Sequence, residues 1–170
     1  MYTVALTGHR PSKLPCGYEK FPGASDWGKR FLAALLNEIK SLVQQHGEVT
    51  VLSGMALGAD QLWALAALEA KAQNLPVHLV ACVPCHNYEA KWFESSKVNY
   101  RKILAKADSV VFVHDGPYNF KCLDERNRYM VDRADLLFAI FDGSPSGTAN
   151  CVRYAYLNAV PVKVFSPSSF

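Results

Sequence analysis

Apolar and polar positions alternate in two periods along this chain, and the switches between them cut it into short strands and longer helices. Tyr2 to Leu6 is a β-branched and apolar run that ends in Thr7-Gly8-His9-Arg10-Pro11. Pro11 keeps Arg10 extended. Prolines and glycines from Ser12 to Ser25 predict a loop, and Asp26 is the expected N-cap of a helix. Phe31, Leu35, Ile39 and Leu42 then recur at helical spacing, widened by Leu32, Leu36 and Val43, until Gly47 stops the run.

A second strand, Val49 to Leu52, breaks into Ser53-Gly54-Met55-Ala56-Leu57-Gly58-Ala59-Asp60, and an alanine- and leucine-rich helix from about Ala59 to Asn74 follows before Pro76. Val77 to Val83, apolar apart from His78, reads as a parallel strand covered on both faces. Pro84 to Asn87 turns the chain into a helix holding Trp92, Phe93, Tyr100, Ile103 and Leu104. Ser109 to Val113 is a fourth strand, ending in His114 to Asn119, with a helix over Leu123 to Arg133. Leu136 to Phe141 is a fifth, ending in Asp142 to Thr148, with a helix over Ala149 to Asn158. Val162 to Phe165 is the last. Regular alternation of strand and helix predicts a single-domain, three-layer α/β/α Rossmann-like sandwich with a mainly parallel sheet over residues 1–170.

In such sheets ligands bind beyond the carboxyl ends of the strands, where strand order reverses. The strand–turn–helix at residues 49–60 therefore carries the strongest local signal. Gly54 and Gly58 leave room for close approach to the main chain, and the following helix N-terminus offers N–H groups and a positive dipole end to a phosphate. The spacing differs from GxGxxG and from GxxxxGK[ST], which argues against a common dehydrogenase and a P-loop ATPase. Asp142-Gly143-Ser144-Pro145-Ser146-Gly147-Thr148 repeats the design. Thr7-Gly8-His9-Arg10 adds a hydroxyl, an imidazole and a guanidinium, either for an anionic or ribose-bearing ligand or as ordinary turn chemistry. Asp60 holds ribose hydroxyls or caps its helix. Arg126 and Asn127, with Glu125, can reach the same edge from the fourth helix, while Asp124 and Arg128 read as its solvated face. Pro84 and Tyr118 complete the candidate ligand set, Tyr118 as a stacking side chain on a glycine–proline loop.

Composition narrows the functional classes. Half of the 170 residues are apolar and 19% are charged, which suits one folded core and not a disordered chain. A net charge of +3 falls short of a nucleic-acid stripe, so no nucleic-acid partner is expected from charge. No apolar run reaches the roughly 18 residues of a membrane helix, and a strand beginning at Tyr2 leaves no room for a signal peptide, so a cytoplasmic protein without a membrane partner is expected. Cys16, Cys82, Cys85, Cys122 and Cys151 are an odd, scattered set. Cys82-Val83-Pro84-Cys85-His86 matches CxxC formally, but reads as a core thiol plus a loop thiol, and neither metal nor haem is expected.

Taken in order, Thr7-Gly8-His9-Arg10-Pro11, Ser53 to Asp60, Pro84 with Tyr88-Glu89-Ala90-Lys91-Trp92, and Asn127 with Asp132 to Asp135, Asp142 and Gly147-Thr148-Ala149 resemble the SLOG superfamily, in its YpsA-like branch. The resemblance spans nearly the whole chain. It implies a Rossmann-like nucleotide-binding domain, a ligand related to NAD or ADP-ribose or a nucleoside phosphate, no required cofactor, and, with the apolar helix faces, a homo-oligomer. Related LOG hydrolases cleave the base from a nucleoside monophosphate with a PGGxGTxxE signature. The glutamate of that signature falls on Cys151 here, and a thiol cannot replace a carboxylate that stabilises a cationic sugar. Binding is therefore expected before catalysis. Two rival expectations stand beside it: a nucleotide hydrolase using Asp60 or Glu125 as acid–base group with Arg10 or Arg126 on phosphate, and, as in the DprA-like branch, single-stranded DNA binding.

Overall fold

The computed structural model describes residues 1–170. Six strands, β1 (Tyr2–Gly8), β2 (Val49–Ser53), β3 (Val77–Val83), β4 (Ser109–Phe112), β5 (Leu136–Ile140) and β6 (Val162–Phe165), form one sheet in the order β4-β3-β2-β1-β5-β6. Every pairing is parallel. Five helices connect them: α1 (Asp26–His46), α2 (Ala59–Ala72), α3 (Glu94–Lys106), α4 (Cys122–Val131) and α5 (Gly147–Leu157). The chain is an α/β Rossmann-like fold, as its alternation of periods predicts.

Strand order runs outward from β1 to β4, then jumps back across β1 to β5 and β6. Right-handed crossovers in opposite directions must lie on opposite faces. Accordingly α1 packs on α2 and α2 on α3 over one face, while α4 packs on α5 over the other. Side-chain alternation divides the core in the same way. Val4 and Leu6 of β1 join Val51, Leu79, Phe138 and the α1 row Phe31, Leu35 and Ile39 on the first face. Ala5 points the other way, with Leu52, Met130, Leu137, Cys151 and Ala155.

α2 is the central helix and is buried almost all round, with Ala64, Ala66, Ala67 and Ala70 fully covered. Its N-terminus comes so close to β1 that a Cβ on Gly8 would lie 2.4 Å from that of Ala59.

Several boundaries differ from the sequence expectation. The cap of α1 is Ser25, whose hydroxyl accepts from the Gly28 amide, and Asp26 is instead the first helical residue. β1 runs on through Thr7 and Gly8 because both pair with β5. α3 begins only at Glu94; Trp92 and Phe93 lie before it, and Trp92 packs edge-to-face between Tyr88 and Tyr100. Cys85 lies in the turn after β3, as expected of a loop thiol, but it is fully buried, as Cys82 is.

Candidate functional site

The crevice at the switch point, between the carboxyl ends of β1 and β5, holds a cavity of about 300 Å³. Three walls come from segments that the fold brings to this edge. β1 ends in Thr7 and Gly8 and continues as His9 and Arg10, after which a short turn opened by Pro11 folds Ser12 and Lys13 back over the opening. α4 contributes Leu123, Arg126 and Asn127, spaced three and four residues apart and so on one face. α5 presents its first turn, Ser146, Gly147 and Thr148, and the start of α2 closes the base with Ala56 and Asp60.

Arg126 and Asp60 form the floor. Both are buried, and Arg126 Nη1 lies 3.5 Å from Asp60 Oδ2 and also donates to the Gly54 carbonyl. Arg126 Nε donates to Asn127 Oδ1 at 2.9 Å, while Nη2 makes no hydrogen bond to protein. A cation held on two sides with its remaining N–H groups free is a preformed anion donor. Burial raises the Asp60 carboxyl above the ordinary carboxylate range, opposed by Arg126 and by the Ala56 amide that donates to it at 3.3 Å.

The cavity's opposite side is the α5 N-terminus. Ser146 Oγ caps it by accepting from the Ala149 amide at 3.1 Å, leaving the Gly147 and Thr148 amides without intrahelical partners. A Cβ on Gly147 would meet nothing within 4 Å, so the main chain there is open to a ligand. Arg10 and Lys13 are exposed at the rim. Arg10 Nη2 donates to Tyr88 Oη at 3.3 Å and Lys13 Nζ to Ser144 Oγ at 3.1 Å. Three cations and a positive helix end thus face one small space, whose only carboxylate is already paired.

The remaining expected residues take other places. Gly54 is not open to a ligand: its missing Cβ is the space in which Arg126 sits, since a Cβ there would lie 2.0 Å from Nη1. Gly58, at φ +98°, lets the chain pass His9, whose carbonyl would be 2.7 Å from a Cβ. Ser53 and Met55 are buried beneath, with Ser53 Oγ donating to the Asp60 carbonyl at 2.7 Å, and Ala59 is buried against β1. Asp142 shapes the β5–α5 loop by accepting from the Ser144 amide and hydroxyl. Those two bonds, and the His9 ring 3.0 Å away, hold its carboxyl below the ordinary range. Gly143 supplies the positive φ of that loop. Pro84 is buried at the end of β3, and Tyr118 lines a neighbouring cavity.

Glu125 is corrected as a candidate acid–base group: it lies on the far face of α4, 2.9 Å from His114 Nδ1, and does not line the crevice. Cys151 is buried under Thr7, and burial pushes its thiol up to about 11. It offers neither a carboxylate nor a thiolate at neutral pH. Ser12, Lys13, Ala56, Leu123 and Ser146 are lining residues beyond the expected set. A capping rule finds Ser146, a serine directly before a helix, and the i,i+3 spacing to Arg126 finds Leu123. Nothing local reveals that Pro11 folds Lys13 back.

The YpsA family model, described as the YspA SLOG family, matches residues 4–161. The SPbeta prophage-derived protein YoqJ of Bacillus subtilis is 28% identical over 134 residues, covering 71% of this chain and 77% of the relative. Two solved structures of DNA processing protein A share the fold at 18% identity. That of Streptococcus pneumoniae superposes with a TM-score of 0.62 over 97% of this chain, and that of Helicobacter pylori, described for its single-stranded DNA binding mode, with 0.57 over 96%. This chain spans 50% and 64% of those two longer proteins.

Proposed function

This chain belongs to the YspA SLOG family, and we propose that it binds a nucleotide or nucleotide-derived small molecule, with the phosphate in the switch-point crevice. The observation that carries this reading is convergence. Arg126, Arg10, Lys13, Gly147 and Thr148 line the same cavity of about 300 Å³, and Arg126 Nη2 and the amides of Gly147 and Thr148 are without hydrogen bonds to protein. Phosphate oxygens accept from all of these donors. Thr7, Ser12 and Asn127 add neutral polar groups suited to ribose hydroxyls. Asp60 serves in this scheme by holding Arg126, so binding needs no acid–base chemistry and no cofactor.

Calorimetry against AMP, ADP-ribose, NAD and cyclic nucleotides tests the proposal. At least one should bind, and Lys13→Ala should weaken it about tenfold by removing a rim cation. A folded protein that binds none of them overturns it. A hydrolase reading predicts free base or ribose phosphate among the products, abolished by Asp60→Asn.

The likeness to DNA processing protein A favours a second reading, single-stranded DNA along the same basic edge. That reading predicts affinity for an oligonucleotide that falls steeply with salt, at roughly 0.7 log units per tenfold salt for each phosphate neutralised. A small-molecule site predicts a shallow slope. We also propose a cytoplasmic homo-oligomer. Tyr156 and Leu157 on α5 and Val164 on the β6 edge expose apolar surface that a second copy would cover, and sedimentation at micromolar protein should show a species heavier than 18.8 kDa.

A further inference from the structure

The crevice is not the whole of the concave surface on this edge. Arg10 also lines a second cavity, of about 350 Å³, whose other walls include Asn87, Tyr88, Lys91, Trp92 and Tyr118. The two differ in chemistry. Apart from Ala56 and Leu123, the first is lined by polar or charged residues and glycine, and it contains no aromatic ring other than the His9 imidazole. The second has three large aromatic side chains around an open space.

We infer that this second cavity is the subsite for the planar base of a nucleoside phosphate, entered past Arg10 from the phosphate crevice. The inference rests on the phosphate reading above and adds what that reading leaves open, namely that the ligand carries a ring. Its physical basis is the way the aromatic walls are held. Tyr88 is buried, and its hydroxyl accepts from Arg10 at 3.3 Å. Trp92 stands edge-to-face on Tyr88 (centroids 5.1 Å apart, 72° between planes) and on Tyr100 (5.2 Å, 78°), so its indole is fixed while only partly buried. Tyr118 is 56% exposed and stacks on no aromatic ring of the protein, which leaves a ring face available.

The polar wall suits the edge of a base. Asn87 is exposed, at φ +57°, and its amide makes no hydrogen bond within the protein, so both donor and acceptor are free to meet a base edge. Lys91 is exposed at the same rim. Arg10 stands at the junction, where a guanidinium can bond phosphate with its N–H edge and cover a ring with its plane. A ligand with an anionic end and an aromatic end joined by a sugar fills both spaces; inorganic phosphate or ribose 5-phosphate fills only the first.

The test compares AMP, GMP, CMP and UMP with ribose 5-phosphate and with adenosine by calorimetry, on the native chain and on Tyr118→Ala and Tyr118→Phe. Because Tyr118 is exposed, its truncation should leave the fold intact. The preferred mononucleotide should bind about tenfold or more tighter than ribose 5-phosphate. Tyr118→Ala should erase roughly that factor for the nucleotide and leave ribose 5-phosphate unchanged, whereas Tyr118→Phe should retain it. Tryptophan fluorescence should change with the nucleotide and not with ribose 5-phosphate.

If every mononucleotide binds no tighter than ribose 5-phosphate and Tyr118→Ala is neutral for all, the base subsite is wrong and the phosphate site stands. Binding of adenosine without ribose 5-phosphate would keep the subsite and remove the phosphate reading. If nothing binds, both fall.

Discussion

At the scale of single residues the crevice depends on Arg126, and Arg126 depends on two others. Asp60 neutralises it in a buried setting, and Gly54 vacates the volume its guanidinium fills. Gly54→Ala should therefore act as an Arg126 variant at a distance: a 2.0 Å approach cannot be relieved without moving the guanidinium. Nucleotide affinity should fall about tenfold or more, and stability by about 1–3 kcal/mol, as for overpacking. Arg126→Ala should cost more, about 3–5 kcal/mol by denaturant titration, because Asp60 is then buried without a counter-ion. Asp60→Asn on the Arg126→Ala background should recover part of that loss. Asp142 sets an acid limit. Its carboxyl is held below the ordinary aspartate range in the folded state, so its contribution to stability is present at and above that range and is lost as pH falls through its lowered value. Denaturation midpoints of Asp142→Ala should lie below those of the native chain at pH 6 and approach them as pH drops below 4. The glycines show how legible this scale was. Residues 8, 54 and 58 stand out in the sequence, but local pattern cannot say whether a missing Cβ admits a ligand, a neighbouring helix or an arginine 72 residues away. Only Gly147, of the glycines expected at the site, both lines the crevice and faces open space.

At the scale of elements, helix starts do two jobs here, and they can be separated. Ser25 caps α1 and Ser146 caps α5, each by accepting an amide three residues on. Replacing either serine with alanine should cost about 1 kcal/mol of stability. Only Ser146→Ala should also weaken nucleotide binding, because its loss loosens the turn in which Gly147 and Thr148 line the crevice; Ser25→Ala is the matched control. Strands and helix interiors were legible from periodicity, and β3 and β6 match their expected limits. Ends were less so. Asp26 and Ser25 are both good capping residues in adjacent positions, and only the hydrogen bond to Gly28 decides between them. The segment before α3 has helical aromatic spacing, yet Tyr88 and Trp92 are recruited edge-to-face into a turn, and that packing outweighs propensity. The same override makes Tyr88 and Trp92 two walls of a cavity.

At the scale of the molecule, the reversal of strand order after β4 gathers residues 7–13, 56–60, 123–127 and 146–148 at one place. No segment of the sequence contains that crevice, although alternation of strand and helix, with turn residues after each strand, is enough to put these strand ends on one edge of the sheet. The arrangement has a thermodynamic consequence. A ligand bridging the starts of α2, α4 and α5 binds both faces of the sandwich at once and binds the unfolded chain at none of them. Its free energy should therefore appear in full as folding stability: about 2.7 kcal/mol at a ligand concentration one hundred times Kd. Chemical denaturation of the native chain with and without the tightest nucleotide should show that increment with an unchanged m-value. Lys13→Ala, whose loss is confined to the rim, should follow the same curve displaced to higher concentration by its own change in Kd. An increment much smaller than Kd requires, or one that leaves hydrogen-exchange protection of α4 and α5 unchanged, would mean that the ligand sits elsewhere than in the crevice between the two faces.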